Sequence, residues 1–301
     1  MDEADLRLIQ ALAADGRASG RDLAQASGIS EANVSRRLAR LIEERSIRII
    51  GFVPPEYLGF HAQFAAFLRV KGSPDEVGES LAKNPAFSFV SGGFGQWDIV
   101  AYGVGTDFSH VADVLDDAVH SHAGIHSSDT RTVLEYLSPA ATTRIGGPLG
   151  PPRALDETDR QIIQQVQADG RMSFTEIANR TGISATSAAD RYRRLVSDGI
   201  LRILVIPDPP RVGLSVSGIF HVRVDRPARE VGRALAAFPE LTFVSIMSGS
   251  HPLGIEFQAR DGAHFDELRA RILAVPGVDD VRFAIHRRLY RQSFAWGTAG
   301  G

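Results

Sequence analysis

The feature that most constrains this chain is an internal repeat. The tetrapeptide "ADGR" at residues 14–17 recurs at residues 168–171, and the same shift of 154 residues aligns positions along most of the sequence. The "GIS" of residues 28–30, for example, falls on the "GIS" of residues 182–184. Solenoid arrays use shorter periods and more copies, so a long repeat present twice indicates a doubled module. The sequence therefore predicts a tandem duplication whose two copies share one fold.

Composition excludes several classes of protein. The chain has 301 residues, 44% of them hydrophobic, and it contains no cysteine, which rules out disulfides, thiol catalysis and cysteine-ligated metals. It has no apolar run of the roughly 18–20 residues that a membrane span needs, and its start, "MDEADLRLIQ", is unlike a signal peptide, so we expect a cytoplasmic protein without a membrane partner. The formal net charge is −3, so any contact with nucleic acid must come from a local basic patch.

The first part of each copy has the pattern of three short helices. In copy 1, Ser19 with Asp22 three residues later is typical of a helix start, and Gly28 is typical of a helix end. Ser30 then starts a third helix whose apolar positions have helical spacing: Val34, Leu38, Leu41 and Ile42. Two helices joined by a tight glycine turn are typical of a helix-turn-helix, and the β-prone run "SIRIIGFVP" that follows predicts the winged type.

The second part of each copy predicts a ferredoxin-like domain, because strand and helix patterns alternate in the order βαββαβ. The predicted fold class is α+β, with two copies of a winged-type helix-turn-helix domain followed by a ferredoxin-like regulatory domain. The predicted boundaries are a helix-turn-helix domain at 1–53, an effector and oligomerisation domain at 60–140, a Gly- and Pro-rich linker at 141–153, a diverged helix-turn-helix domain at 154–207 and a second effector and oligomerisation domain at 213–296.

The third helix of copy 1 has a basic face opposite its apolar face. A helical wheel places Asn33, Arg36 and Arg40 on the side away from Val34, which fits contacts to bases and phosphates but also fits a solvated surface. In copy 2 the position of Arg36 is taken by Asp190, which predicts weaker binding or a scaffold role, or else recognition of a different base. The predicted DNA-binding residues are Ser30, Asn33, Ser35, Arg36, Arg37 and Arg40 in copy 1, and Ser187, Arg191 and Arg194 in copy 2.

Each copy resembles the leucine-responsive regulatory protein/AsnC (Lrp/AsnC) family of transcription regulators. The similarity lies in "DEADLRLIQALAADGR", "DLAQASGIS" and "RRLARLIEERSIRIIGFVP", in their counterparts in copy 2, and in "FVSGGFGQWDIVAYGV" of the regulatory part. The resemblance implies binding to double-stranded DNA, pairing of regulatory domains through their sheets, homo-oligomers, and a small-molecule effector, an amino acid or a related metabolite, bound between those domains. It also implies a nucleoid-associated cytoplasmic regulator that is not an enzyme and uses no cofactor.

Two features of the chain depart from that family. Members usually carry one copy, so this chain is either a covalent pseudo-dimer or pairs each copy with the like copy of a second chain. The family's Gly-x-aromatic-Asp motif is complete in copy 1, but Pro252 stands where that motif has its Asp in copy 2. Backbone amides at the glycines of this motif could bind the carboxylate of an amino acid, and Asp98 could bind its ammonium group, which favours an effector site. A plain hairpin turn explains the glycines equally well. The predicted effector residues are Gly93, Gly95, Gln96, Trp97, Asp98, Gly249, Ser250 and His251.

Two other classes of function stay open from the sequence. Tandem proteins similar to this family include sirohaem decarboxylases, and His251, His286, Arg287 and Arg288 are the candidates for such an enzyme. A sensor that acts only through protein partners is the other alternative. His120, His122 and His126 lie close together but lack metal-ligand spacing, so we expect helix-end histidines and no metal site.

Overall fold

The structure is a computed structural model that describes residues 1–137 and 154–296. The predicted linker therefore lies outside the described residues. The chain divides into two compact units, one from Met1–Tyr57 with Pro148–Leu214 and the other from Leu58–Gly147 with Ser215–Gly301. Each unit thus contains parts of both halves of the sequence. None of the helices in the described ranges is long and apolar enough to cross a membrane.

The two halves of the chain contain the same elements in the same order. The first half comprises α1 (Glu3–Ala14), α2 (Gly20–Ser27), α3 (Glu31–Glu43), β1 (Ile47–Phe52), a 3-10 turn (Pro55–Leu58), β2 (Ala62–Val70), α4 (Pro74–Ala82), β3 (Phe87–Gly95), β4 (Ile99–Gly105), α5 (Phe108–Leu115) continued by a π turn (Asp116–His120), and β5 (Ile125–Leu137). The second half comprises α6 (Glu157–Ala168), α7 (Phe174–Thr181), α8 (Ala185–Ser197), β6 (Arg202–Pro207), a 3-10 turn (Pro209–Val212), β7 (Val216–Val224), α9 (Ala228–Leu235), β8 (Leu241–Met247), β9 (Leu253–Ala259), α10 (Gly262–Leu273) and β10 (Val278–Gln292).

Local sequence sets the helix ends in the first unit. Asp2 and Asp5 form a capping box at the start of α1, and the Ser19 hydroxyl accepts from the backbone N–H of Asp22 at the start of α2. Gly28 then ends α2 with a φ of 70°, a left-handed conformation that glycine adopts without strain. The predicted caps at Ser19 and Gly28 are confirmed. Ser30 occupies the predicted N-cap position of α3 but makes no capping hydrogen bond through its side chain.

The apolar side of α3 is narrower than the sequence predicts. Val34 and Leu41 are buried against α1, but Ile42 is 44% exposed, so its predicted core position is wrong. The corresponding Val196 of α8 is 42% exposed. Each directly follows a buried leucine, Leu41 or Leu195, in the last turn of its helix, so only one of the two adjacent apolar positions there reaches the core.

The three-helix sets of the two halves pair through their short strands. Strand β1 pairs with β6 in antiparallel register, and Ile50 lies opposite Leu204, the residue 154 positions further along the chain. Two copies of one sequence that meet at equivalent residues are related by a local two-fold axis, as in an isologous dimer interface. The core of the first set accordingly includes Val205 from the second half.

The glycines of the two "ADGR" motifs lie at this interface. An added Cβ on Gly16 would come within 2.3 Å of the Ile203 side chain, and one on Gly170 within 3.0 Å of the Ile49 backbone. The backbone N–H of Gly170 also donates to the Ile49 carbonyl at 2.8 Å. The third motif residue of each copy is therefore glycine because the strand of the other copy approaches too closely for a side chain.

The second unit is a closed eight-stranded barrel. Its strand order is β10-β3-β4-β2-β5-β8-β9-β7, and β7 closes onto β10. The order β3-β4-β2-β5 within one half is that of a ferredoxin-like sheet, so the predicted βαββαβ arrangement is confirmed. The pairs β5·β8 and β10·β3 join the two sheets, and both contain register shifts.

In the described part of the barrel unit, three apolar clusters contribute to the core. Helices α4 and α5 cover one sheet, α9 and α10 cover the other, and each pair of helices encloses its own apolar cluster. The third cluster lies between the sheets and includes Phe67, Ile219 and Met247. Phe67 and His221, which occupy equivalent positions of β2 and β7, meet there with ring centroids 4.3 Å apart.

Candidate DNA-reading helices and effector region

Helix α3 presents a small exposed polar face next to its N-terminus. Asn33, Ser35 and Arg36 are exposed, whereas Val34 between them is buried. The Arg36 guanidinium donates from Nη2 to Oδ1 of Asn33 at 2.8 Å. The turn at Gly28 places Ser30 at the start of this helix. This is the arrangement by which the second helix of a helix-turn-helix enters the major groove with its N-terminal residues.

The other two arginines of α3 are bound by the acidic start of α1. Arg37 donates to Asp2 at 2.8 Å and to Asp5 at 2.7 Å, and Arg40 donates to Asp5 at 2.7 Å. We call these four residues the acidic brace. The side chains of Arg37 and Arg40 are 22% and 44% exposed, whereas that of Asp5 is 1% exposed. Two of the predicted DNA-binding arginines therefore also hold α1 and α3 together.

The protonation of Asp5 reflects this environment. Burial by itself would raise the pKa of Asp5, but hydrogen bonds from Arg40 and Arg37, together with the backbone N–H of Asp2, lower it to about 2. The same contacts raise the pKa of both guanidinium groups, chiefly through their hydrogen bonds to Asp5. The acidic brace is consequently fully ionised at neutral pH.

Helix α8 carries a different exposed face. Arg191, equivalent to Arg37, donates to Asp156 at 2.7 Å and to Asp159 at 2.9 Å, which repeats part of the brace. Asp190, equivalent to Arg36, forms an exposed ion pair with Arg193 at 2.5 Å. Of the other predicted contacts, Arg194 is exposed and Ser187 is partly buried, with its backbone N–H bonded to the Ser184 cap.

The structure gives a role to two arginines that the sequence pattern did not single out. Arg17 donates to the carbonyls of Gly170 and Met172, both at 2.8 Å. Arg171 returns the contact, donating to the carbonyls of Gly16 and Ala18 at 2.7 and 3.0 Å. The recurrence of "ADGR" in both copies was the available signal, but only the pairing of the copies explains it.

The two arginines of this exchange have unlike surroundings. The Arg17 guanidinium lies 4.7 and 4.8 Å from the ring centroids of Phe174 and Tyr192. The positions equivalent to Phe174 and Tyr192 in the first half are Gly20 and Leu38, so Arg171 has no such pair of rings. Burial lowers the pKa of Arg171, and the nearby Arg17 adds to that effect.

The predicted effector residues of copy 1 form the turn between β3 and β4. The backbone N–H of Gly93 donates to the Asp98 carbonyl at 2.8 Å, and that of Gln96 donates to the Phe283 carbonyl at 3.3 Å. Gly95 has a φ of 117°, and an added Cβ would lie 2.7 Å from the same Phe283 carbonyl. Of the glycine amides suggested for a carboxylate, that of Gly93 is thus already bonded within the protein, as is the neighbouring amide of Gln96.

The side chains of this turn are also engaged. Asp98 accepts from the backbone N–H of Val70 at 2.9 Å and from Arg69 at 3.3 Å, so an ammonium would compete with Arg69. The Trp97 ring packs 6.0 Å from that of Phe67. Among the described residues no partner is found for the buried Nε1 of Trp97 or for Oε1 of Gln96.

The equivalent turn of copy 2 keeps the backbone geometry but has different chemistry. Met247 donates to the Pro252 carbonyl at 2.8 Å, as Gly93 does to Asp98. His251 is buried, with Nε2 3.0 Å from an Asp280 oxygen and Nδ1 3.1 Å from the Ser250 hydroxyl. The backbone at Gly249, with a φ of 106°, passes beside Arg131 of β5.

Arg131 and His221 form a buried polar pair next to this turn. Arg131 is 5% exposed and donates to Asp129 at 2.5 Å, to Nδ1 of His221 at 3.1 Å and to the His251 carbonyl at 3.2 Å. Burial, reinforced by the Arg131 guanidinium, holds the pKa of His221 well below its usual value. The sequence signal was an arginine at an inward position of the strand "TRTVLEYL", but its partners come from distant parts of the chain. In copy 2 the residue equivalent to Arg131 is Ile285, and in copy 1 the residue equivalent to His221 is Phe67, so the equivalent pair of positions is apolar.

The residues suggested for an enzymatic site are not gathered around one centre. His286 lies 2.9 Å from Glu256, Arg287 bonds to Asp75, and Arg288 lies 3.0 Å from Glu79. His251 belongs to the copy 2 turn. His120 pairs with Asp116 at 2.8 Å, one turn earlier in its helix. Within residues 1–137 and 154–296 no group of three or more His, Cys, Asp or Glu side chains is placed to hold a metal ion.

Family models match three stretches of the chain. Residues 1–48 match a winged helix-turn-helix DNA-binding domain, residues 155–196 match the AsnC-type helix-turn-helix domain, and residues 217–295 match the Lrp/AsnC ligand binding domain. These stretches correspond to the first three helices, to α6–α8, and to the second ferredoxin-like sheet with its helices.

Curated relatives are transcription regulators that align with at most half of the chain. An uncharacterized HTH-type transcriptional regulator of Pyrococcus horikoshii is 33% identical over 110 residues, 36% of this chain and 69% of that protein. A second, from Pyrococcus abyssi, is 32% identical over 132 residues, 42% of this chain and 81% of its own length. The leucine-responsive regulatory protein of Escherichia coli K12 is 27% identical over 149 residues, 48% of this chain and 91% of its own length.

Among solved structures, the siroheme decarboxylase NirDL superposes on nearly the whole chain. Its TM-score is 0.68 over 96% of this chain and 93% of that chain, with 16% sequence identity. An identity this low shows a shared fold and nothing about activity. The sequence relatives and the family models instead agree on one assignment: the chain belongs to the Lrp/AsnC family of helix-turn-helix transcription regulators.

Proposed function

We propose that the chain is a sequence-specific DNA-binding regulator whose main base contacts are made by Asn33 and Arg36 of α3, and which responds to an amino acid-like effector. The observation that carries the proposal is the exposed Asn33–Arg36 pair at the N-terminal end of a capped helix behind a glycine turn. Arg binds guanine through O6 and N7, and Asn binds adenine through N6 and N7. Both side chains lie on the side of α3 away from Val34 and Leu41.

The acidic brace divides the predicted arginines by role. Arg37 is mostly buried and bound to two carboxylates, so we assign it to positioning α3. Arg40 is bound to Asp5 but 44% exposed, which leaves it able to approach a phosphate. Ser30 and Ser35 complete the exposed face, and phosphate contacts from such residues fix the orientation on the duplex without reading sequence.

The test of DNA recognition compares two equivalent positions. Fluorescence anisotropy is measured on the DNA upstream of the protein's own gene and on a scrambled duplex, at two salt concentrations. We expect Arg36→Ala to lose about 1–3 kcal/mol of discrimination between the two duplexes, since that is the usual worth of a bidentate base contact. Asp190→Ala is the matched control: it leaves the contacts of Arg36 in place and removes a carboxylate that repels phosphate, so affinity for the scrambled duplex should be equal or tighter. Selective binding that is indifferent to Arg36→Ala would contradict the assignment of α3.

For the effector, we propose the region of the two β-turns between the paired sheets. Support comes from the match of residues 217–295 to a ligand binding domain and from the name of the leucine-responsive relative. The copy 2 turn offers a hydroxyl and an imidazole, from Ser250 and His251, beside the guanidinium of Arg131. A thermal-shift screen of amino acids tests the effector class. Two variants then show which turn binds it: Arg131→Leu should abolish the shift if the copy 2 turn is the site, and Asp98→Asn should abolish it if the copy 1 turn is the site.

The remaining structural predictions belong to the same proposal. The matching order of elements in the two halves supports a tandem duplication with the domain boundaries given above, and the β1·β6 pairing supports a covalent pseudo-dimer. Further homo-oligomerisation and a nucleoid-associated, cytoplasmic location remain expectations. Sedimentation velocity with and without DNA measures the oligomeric state directly.

A tetrapyrrole decarboxylase is the second candidate, favoured by one observation, the superposition of NirDL on 96% of the chain. Against it, each of the four residues suggested for propionate chemistry is already paired with an acidic side chain in the structure. An absorbance titration with sirohaem separates the candidates. Tight, stoichiometric binding of sirohaem, seen as a change in the absorbance spectrum, together with no selective DNA binding, would favour the enzyme over the regulator.

A further inference from the structure

The first unit contains both reading helices of the chain, related by the local two-fold axis between its halves. Ile50 of β1 lies opposite its equivalent Leu204 of β6, and Arg17 and Arg171 exchange hydrogen bonds with equivalent carbonyls. These contacts are reciprocal, as in an isologous dimer. In this unit, the second half of the chain therefore already covers the surface that the first half would need in order to pair with the first half of another chain.

The two helices so related are not the same. Position by position, Asn33 of α3 corresponds to Ser187 of α8, and Arg36 corresponds to Asp190. In α3 the guanidinium and the amide are bonded to each other, whereas in α8 the carboxylate is paired with Arg193. One exposed face offers donors suited to guanine and adenine, while the other presents a carboxylate that accepts a hydrogen bond and repels phosphate.

The symmetry of a DNA site follows the symmetry of the protein bound to it, because each half-site contacts one reading helix. We propose that one chain alone recognises a non-palindromic operator made of two unlike half-sites about one helical turn apart. Helix α3 reads a half-site with guanine opposite Arg36 and adenine opposite Asn33. Helix α8 reads the other half-site, where Asp190 selects against guanine and accepts from the N4 amino group of cytosine. This inference rests on the proposed DNA-binding function and specifies its partner.

Selection of duplexes from a random DNA library with the full chain is the first test. The expected consensus has two half-sites of different sequence, and titration of the selected duplex gives one chain for each pair of half-sites. A palindromic consensus, or two chains for each pair, overturns the inference while leaving the DNA-binding function intact. A wild-type protein that enriches no sequence overturns the DNA-binding function, and the inference with it.

Symmetrised variants provide the second test. Ser187→Asn combined with Asp190→Arg converts the face of α8 to that of α3, and we expect it to prefer a palindrome of the α3 half-site over the wild-type operator by about tenfold or more, the worth of one good base contact. The reverse pair, Asn33→Ser with Arg36→Asp, is the matched control and should lose that half-site. Asn33, Arg36 and Asp190 are exposed and Ser187 is only partly buried, so both variants are expected to melt as the wild type does. If the first variant keeps the wild-type preference, α8 does not read DNA and the inference fails.

Discussion

The acidic brace makes the buried carboxylate of Asp5 important for the stability of the helix-turn-helix unit. We expect Asp5→Asn to reduce the free energy of unfolding by about 2 kcal/mol at pH 7. The magnitude follows from the pKa of Asp5, which is lowered from 3.8 to about 2 in the folded protein, at about 1.4 kcal/mol for each tenfold change in proton affinity. Asparagine keeps the size of the side chain but cannot accept from both arginines as an anion.

The stability lost in Asp5→Asn should depend on pH in a definite direction. A carboxylate whose pKa is depressed by folding contributes its full stability above its unfolded pKa, and the contribution is lost as the pH falls through the folded value. The difference between wild type and Asp5→Asn should therefore be greatest at pH 7, fall to about half near pH 3, and disappear below about pH 2. Urea unfolding followed by far-ultraviolet circular dichroism at pH 7, 4 and 3 measures it.

Glu3→Gln is the control for Asp5→Asn. Glu3 forms an exposed i,i+4 pair with Arg7 at 2.9 Å, and pairs of that kind contribute less than about 0.5 kcal/mol. Equal losses for the two variants at pH 7, or a difference that grows toward pH 3, would refute the reasoning. Asp5→Asn frees Arg40 from its carboxylate partner in α1, whereas Arg37 keeps its bond to Asp2. The salt slope of DNA binding should therefore steepen by up to about 1, since each phosphate contact contributes about 0.9.

Three further substitutions probe the pairing of the halves and the barrel interior. Gly170→Ala should destabilise the protein by about 1–3 kcal/mol, because the added methyl lies 3.0 Å from the Ile49 backbone; Gly262→Ala, where the added methyl meets nothing within 4 Å, should leave the melting temperature unchanged or higher. Arg17→Ala should cost about 2–3 kcal/mol through its two carbonyl contacts, and full rescue by lysine in urea unfolding would show that the paired contacts are unimportant. His221 stays neutral when folded because burial and Arg131 lower its pKa, so the unfolded state binds the extra proton and stability should fall with pH below about 6.5, by up to about 1.4 kcal/mol per pH unit. His221→Gln should abolish that dependence, and an imidazole that titrates near pH 6.5 by NMR in the folded protein would contradict it.

Patterns with local causes could be predicted from the sequence. The helix ends at Ser19 and Gly28, and the βαββαβ order of the regulatory part, follow from capping, from left-handed glycine and from the spacing of apolar residues. The family was also recognisable, because its motifs are contiguous stretches of sequence. The same local rules put Ile42 in the core, which is wrong, because how far a helix is covered depends on its neighbours and not on its own spacing.

What joins distant residues was decided by the tertiary structure alone. A helical wheel shows that Arg36, Arg37 and Arg40 lie near one another, but only the position of α1 shows that Arg37 and Arg40 are held by Asp5 while Arg36 faces solvent. Likewise, repetition of "ADGR" predicted a duplication and left open whether like or unlike copies pair. The β1·β6 register answers that question within the chain, because strand pairing depends on contacts between residues more than 150 positions apart, which no local pattern encodes.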